Sequence, residues 1–194
     1  VMVDNEAGGR LAIEHLHKLG HRKIAFIRGP KMLIDSAPRW KGIQKFASGA
    51  GHEIDASLVA QLPDSLDPNS GFDGGFRLTE ELLQKRKKFT ALVAFDDLTA
   101  MGAIRALTKA GMTVPEHCSV AGFDDVALSA MSAPSLTTVR QPLESMGNLA
   151  VNAVLEGINA SQEKREWTIS HQRTTPELVI RESTRAVAVS SSDD

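Results

Sequence analysis

Two rhythms of apolar residues alternate along this 194-residue chain. Short continuous apolar runs, such as "KIAFIRG", "TALVAF" and "SVAGF", are separated by stretches in which apolar residues recur every three or four positions. The first rhythm is that of a strand buried on both faces, the second that of an amphipathic helix. The pattern predicts strands at residues 1–3, 23–29, 57–63, 90–95 and 119–123. It predicts helices at 5–19, 36–50, 72–85 and 98–110, and a short helix behind the last strand. Gly20, Gly51 and Gly111 stand where three of these helices should stop, and Gly29-Pro30 closes the second strand.

After residue 133 the rhythm changes. Residues 134–142, "PSLTTVRQP", read as an extended crossing segment. Pro142 suits the first turn of a helix running to about residue 158. Leu143, Met146, Ala150, Val154 and Ile158 give that helix one apolar face. Residues 166–172 and 177–183 read as two more strands, and the small, polar residues 187–194 as a disordered tail. Strands alternating with helices at this spacing imply βαβ units, hence an α/β fold with a doubly wound parallel sheet. Such sheets bind ligands outside the carboxyl ends of their strands. Two sequences, "LVAFDD" (92–97) and "SVAGFDD" (119–125), end there in the same Phe-Asp-Asp.

Carboxylates at strand ends need partners. A divalent cation is one reading, but adjacent residues at a strand-to-helix junction point in different directions, so no metal site is expected. Helix capping is the second reading. Asp97 and Asp125 each stand just before a helix, where a side-chain oxygen accepts backbone N–H bonds. That leaves Asp96 and Asp124 at the mouth of the sheet, where they can accept hydrogen bonds from a small ligand. Arg39, in "SAPRWKG", opens the helix behind Gly29-Pro30 on the same edge. It is either a ligand-binding fork or a surface partner of Asp35. His17 and His21 are expected to be solvent-exposed. Gly8 and Gly9 are expected to allow close helix packing, and no catalytic triad or nucleotide-binding fingerprint is visible.

Composition narrows the classes. The net charge is −2, tyrosine is absent and basic residues are scattered, which argues against a nucleic-acid surface on this segment. The single cysteine, Cys118, excludes an internal disulfide framework and points to a reducing compartment. Residues 1–10 show no basic start followed by an apolar run, so no signal peptide is expected, and no stretch has the length of a membrane helix.

The motifs "LGHRKIAFIRGP", "SAPRWKG", "VAFDDLTAMGAIRAL", "GMTVPEHCSVAGFDD", "PSLTTVRQP" and "RESTR", in this order, resemble the effector-binding core of the lactose/galactose-repressor family of bacterial transcription regulators. The resemblance runs from about residue 1 to 185. It implies a periplasmic-binding-protein-like fold, with two α/β lobes joined by crossing strands and the ligand between them. Residues 1–140 and 171–186 would be one complete lobe. Residues 141–170 would be the returning helix and strand of the other, and the DNA-binding helix-turn-helix would lie outside this chain. The resemblance implies no cofactor and no enzyme activity. It implies a small effector, a sugar by the excess of carboxylates over arginine, and operator DNA bound through the absent N-terminal domain. It further implies a cytoplasmic homodimer without membrane contact. Leu128 and Met131 are candidates for the dimer contact. As ligand-binding residues it implies Asp124, Arg39 and Asp96, with Asp4 and Gln141 where the chain crosses between lobes. Leu66 stands where the family often places an aromatic ring, which argues against a stacked purine and leaves Phe123, Phe95 or Phe72 to supply a ring. The alternative function on the same fold is a sugar-binding protein of a transport system.

Overall fold

The computed structural model describes residues 1–65, 67, 70–85, 87–168 and 171–187. A six-stranded sheet runs in the order β3-β2-β4-β5-β6-β8. Its strands are β2 (Ile24–Arg28), β3 (Val59–Gln61), β4 (Ala91–Ala94), β5 (Ser119–Asp124), β6 (Thr137–Arg140) and β8 (Glu177–Val179). The first five are parallel and β8 runs antiparallel to β6. A separate two-stranded parallel pair joins β1 (Met2–Val3) to β7 (Arg173–Thr174).

Because successive strand residues face opposite ways, each strand feeds two cores. Ile24, Phe26, Val93, Ala121, Phe123 and Val139 pack on helices α1 (Asn5–Lys18) and α2 (Ser36–Gly49). Ala25, Ile27, Leu92, Ala94 and Val120 pack on α3 (Ser70–Gln84) and α4 (Asp97–Lys109). Each helix pair closes on glycines. A Cβ at Gly9 would strike the Arg39 carbonyl, and one at Gly42 the Glu6 carbonyl. Gly75 meets Thr99 and Gly102 meets Phe72 in the same way across α3 and α4. This close crossing carries Arg39, on α2, in beside α1.

The expected elements form, with shifts. Residues 57–63 split into a 3-10 turn (Ala56–Leu58) and β3. The strand expected at 166–172 is absent from its described residues, and the pairing with β1 occurs at Arg173–Thr174 instead. The last strand stops at Val179, well short of residue 183. The tail beyond residue 187 and Leu66 lie outside the described residues. Helix α5 (Ala127–Met131) follows β5, and α6 spans Leu143–Gln162. Of the face predicted to be apolar on α6, Leu143, Val154 and Ile158 are exposed, as are neighbouring Val151 and Leu155. Among the described residues no helix is long and apolar enough to cross a membrane.

Candidate functional site

The two Phe-Asp-Asp sequences are not built alike, and the expected roles of their acids change. Helix α4 begins one residue earlier than predicted, so Asp96 is its N-cap, its Oδ1 accepting from the Thr99 N–H at 2.7 Å. Asp97 therefore falls inside the helix and points into the protein, 1% exposed. It accepts from the Val126 N–H at 2.9 Å, from Ser129 Oγ at 2.7 Å and from Thr138 Oγ1 at 2.5 Å. Burial pushes its carboxyl above the ordinary value, opposed by these three donors. Asp125 is not a cap either. It pairs with Arg140 at 2.5 Å and Arg181 at 2.6 Å. Burial alone would raise its pKa, but the two arginines hold it below the ordinary value. Val126, the N-cap of helix α5, supplies no side-chain cap, and Asp97 provides an acceptor for its N–H from α4.

Asp124 stands at the end of β5 with a φ of 109°, and Asp125 follows at 58°. Non-glycine residues rarely adopt such angles, and where they do the surrounding structure holds them in place. Here the Arg140–Asp125–Arg181 bridges fix the turn. The Asp124 Oδ1 accepts from Gln141 Nε2 at 2.6 Å and lies 3.5 Å from Arg39 Nη2. Among the described residues no hydrogen bond reaches its Oδ2. The carboxyl is pushed up to about 6, first by burial and then by Asp96 and Asp97, against the pull of Arg39 and Gln141.

Arg39 is 6% exposed, so it is neither a surface residue nor an open fork. Its Nε donates to Asn5 Oδ1 at 2.8 Å and its Nη1 to the Phe95 carbonyl at 2.7 Å. The guanidinium carbon sits 3.6 Å from the Phe123 ring centre and 4.6 Å from that of Phe95. Burial lowers its pKa, while Asp124, Asp35 and Asp96, in that order, favour its charge. Asp35 is 3.9 Å away and accepts from Asn5 Nδ2 at 2.7 Å. Asn5 thus bridges Asp35 and Arg39. Sequence reasoning missed Asn5, because nothing in "VDNEAGG" marks one polar residue as buried.

The structure brings together Asp124, Arg39, Gln141, Phe123 and Asp96 at the carboxyl ends of β4 and β5. Phe123 is 3% exposed and supports Arg39, and a Cβ at Gly8 would strike its ring. Asp4 is placed apart from this group. It caps α1 through the Ala7 N–H at 2.9 Å and lines, with Asp35, Ile34 and Arg173, a neighbouring hollow of about 320 Å³. His21 contradicts the expectation of exposure. It is buried, bonded to Thr90 Oγ1 at 2.9 Å and to the Arg185 carbonyl at 3.0 Å, because it turns back under β4 just after Gly20. Cys118 is fully buried, and burial raises its thiol pKa, which makes it inert. Among the described residues no group of three His, Cys, Asp or Glu side chains could hold a metal ion.

Residues 13–184 match the family model described as a periplasmic binding protein-like domain. The HTH-type transcriptional repressor PurR of Haemophilus influenzae is 37% identical over 180 residues, which cover 93% of this chain and 52% of the relative. A transcriptional regulator CelR–cellobiose complex superposes with a TM-score of 0.80 at 32% identity, covering 93% of this chain and 52% of that one. A dimeric Lac repressor with an 11-residue C-terminal deletion does so with a TM-score of 0.83 at 30% identity, covering 95% and 64%. The chain spans about half the length of the curated relatives it matches.

Proposed function

Because the chain belongs to the periplasmic-binding-protein-like domain family and its relatives are LacI-family regulators, we propose that it is the effector-sensing core of a bacterial transcription regulator. The effector is a small neutral sugar held at the carboxyl ends of β4 and β5. The observation that carries this reading is the state of Asp124. Its Oδ1 is held by Gln141 and Arg39, its backbone is strained, and its Oδ2 meets no donor within the described residues. An aspartate fixed in this way is pre-organised to accept a ligand hydroxyl. Asp96 adds a second carboxylate, and Arg39 acts from behind by positioning Asp124. Three carboxylates around one buried guanidinium (Asp35, Asp96 and Asp124) leave the site rich in acceptors, which suits hydroxyl donors and disfavours anions. The cellobiose complex of the similar regulator CelR agrees with a sugar.

In this proposal residues 1–140 and 171–186 form one lobe, and residues 141–170 return from a second. The exposed face of α6 belongs to that second lobe. Asp4 and Gln141 lie where the chain passes between the two. A ligand that contacts both lobes in one arrangement better than in another shifts their equilibrium. If DNA affinity differs between those arrangements, sugar and operator binding are coupled with equal magnitude in both directions. Operator contacts lie outside this chain. The exposed Leu128 and Met131 on α5 are the proposed homodimer contact. The test is calorimetric titration of the full-length regulator with neutral mono- and disaccharides, followed by operator-binding assays with any sugar that binds. The expected result is one sugar class that binds and changes operator affinity. A panel in which no neutral sugar binds, while an anionic metabolite does, would overturn the reading.

A further inference from the structure

One residue inside the site separates two groups that would otherwise pair. Asp35 and Arg39 stand four residues apart at the start of α2, the spacing at which an acid and an arginine meet on one helix face. Here they do not meet. Arg39 Nη2 stays 3.9 Å from Asp35 Oδ2, beyond hydrogen-bond reach. Asp35 is the N-cap of α2, yet its carboxylate makes no capping bond. It is engaged by Asn5, the first residue of α1 and 6% exposed. Asn5 Nδ2 donates to Asp35 Oδ1 at 2.7 Å, and Asn5 Oδ1 accepts from Arg39 Nε at 2.8 Å. The amide takes this orientation and no other, because a carboxylate only accepts and a guanidinium only donates. A longer bond from Nδ2 to the Val3 carbonyl, 3.4 Å, ties the amide to the chain just before α1.

That arrangement decides which carboxylate Arg39 serves. Asn5 holds Nε, the Phe95 carbonyl holds Nη1, and the rings of Phe123 and Phe95 lie against the guanidinium. A planar fork held at two of its nitrogens is locked against rotation, so Nη2 faces Asp124 Oδ1 at 3.5 Å. Without the Asn5 amide, the buried Arg39 Nε loses its acceptor and Asp35 loses its donor, and each is costly to leave unpaired. The nearest partner for each is then the other. Asp35 draws the guanidinium to itself and away from Asp124. An aspartate at position 5 would accept from Arg39 but set a like charge against Asp35, so the neutral amide is the group that suits both neighbours.

Resting on the reading of Asp124 as the sugar anchor, we infer that Asn5 is a positioning residue of the effector site: it holds Asp35 off Arg39 and so keeps the guanidinium turned to Asp124. The test compares the full-length regulator with Asn5→Ala, Asn5→Ser and the double variant Asn5→Ala/Asp35→Asn, and thermal unfolding checks that each folds. The first readout is a carbon-13 NMR titration of the aspartate carboxyls, with the Asp124 signal identified by its loss in Asp124→Asn. The second is calorimetric titration at pH 7 with glucose, galactose and cellobiose. The charged groups facing Asp124 are Arg39 from α2 and Asp96 and Asp97 from α4, with Asp35 behind Arg39, and Asp125 beside it bound to Arg140 and Arg181. Loss of a neighbouring opposite charge raises a carboxyl's midpoint, so that of Asp124, about 6 in the parent, rises by about one pH unit in both single variants. Affinity for the best-binding of the three sugars falls about tenfold. Neutralising Asp35 removes the competitor, so the double variant returns the midpoint towards the parent's and recovers about threefold or more of the lost affinity. A purely structural Asn5 would lower Tm without moving the midpoint, and the second substitution would only deepen the loss. Either of those results overturns the inference. Sugar binding that survives Asp124→Ala overturns the anchor, whereas a midpoint unmoved by Asn5→Ala overturns the positioning role alone. If none of the three sugars binds the parent, the NMR midpoint by itself decides whether Asn5 positions Asp124.

Discussion

Replacing Asp97 with alanine removes the acceptor for three donors at once: the Val126 N–H, the Ser129 hydroxyl and the Thr138 hydroxyl. The site is closed to water at 1% exposure, so solvent cannot replace the carboxylate. Each such bond contributes about 1 kcal/mol net, and a buried donor left alone costs about 1–3 kcal/mol. The two hydroxyls can turn to other acceptors, but the backbone N–H cannot. The loss is then about 3–5 kcal/mol, a large part of the stability of a domain. For a chain of this length about 1 kcal/mol lowers Tm by roughly 2–4 °C, so Asp97→Ala should melt roughly 6–20 °C below the parent. Asp96→Ala, one residue away, removes a single cap bond and should cost about 1 kcal/mol, or roughly 2–4 °C. Asp97→Asn, which keeps an acceptor for the N–H and can donate to a hydroxyl, should fall between the two. Thermal unfolding followed by circular dichroism reads all three. Equal losses at 96 and 97, or a larger loss at 96, would refute the division of labour between these carboxylates.

The Asp124 carboxyl, raised from 3.8 to about 6, binds its proton more tightly in the folded state than in the unfolded state. Its contribution to stability is therefore full below about pH 4 and is lost as pH rises towards about 6. Asp124→Asn should flatten that part of the pH dependence, and urea midpoints from pH 4 to 7 that stay parallel for the two proteins would contradict this. Gly9→Ala should destabilise by about 2 kcal/mol or more, because its Cβ meets the Arg39 backbone carbonyl and not a movable side chain. Urea unfolding measures that loss, and an unchanged midpoint would mean that the α1–α2 crossing is looser than described.

The alternation of strands and helices was legible because strands buried on both faces carry continuous apolar runs, which a residue-by-residue reading detects. "KIAFIRG" and "SVAGFDD" could hardly be anything else. The roles within Phe-Asp-Asp were not legible, because they turn on a one-residue shift in where α4 begins. That shift made Asp96 the cap and sent Asp97 inwards to α5 and β6. The burial of Arg39 was hidden for a different reason. Its acceptors, Asn5 and the Phe95 carbonyl, come from α1 and the end of β4, and only the glycine crossing of α1 with α2 brings them near. The strand misplaced at 166–172 shows the same limit. Its alternation was real, but β1 is two residues long and pairs only with Arg173–Thr174.

The claim on which the account depends is that Asp124 receives the effector. The most direct measurement is the calorimetric affinity of the full-length regulator for its best-binding neutral sugar, before and after Asp124→Ala, with Asp125→Ala as the neighbouring control. Loss of a buried, charge-assisted hydrogen bond predicts a fall of at least tenfold for Asp124→Ala. Asp125→Ala, which lacks any proposed ligand contact, should retain measurable binding even as its turn loosens. Undiminished sugar affinity in a folded Asp124→Ala protein would contradict the account.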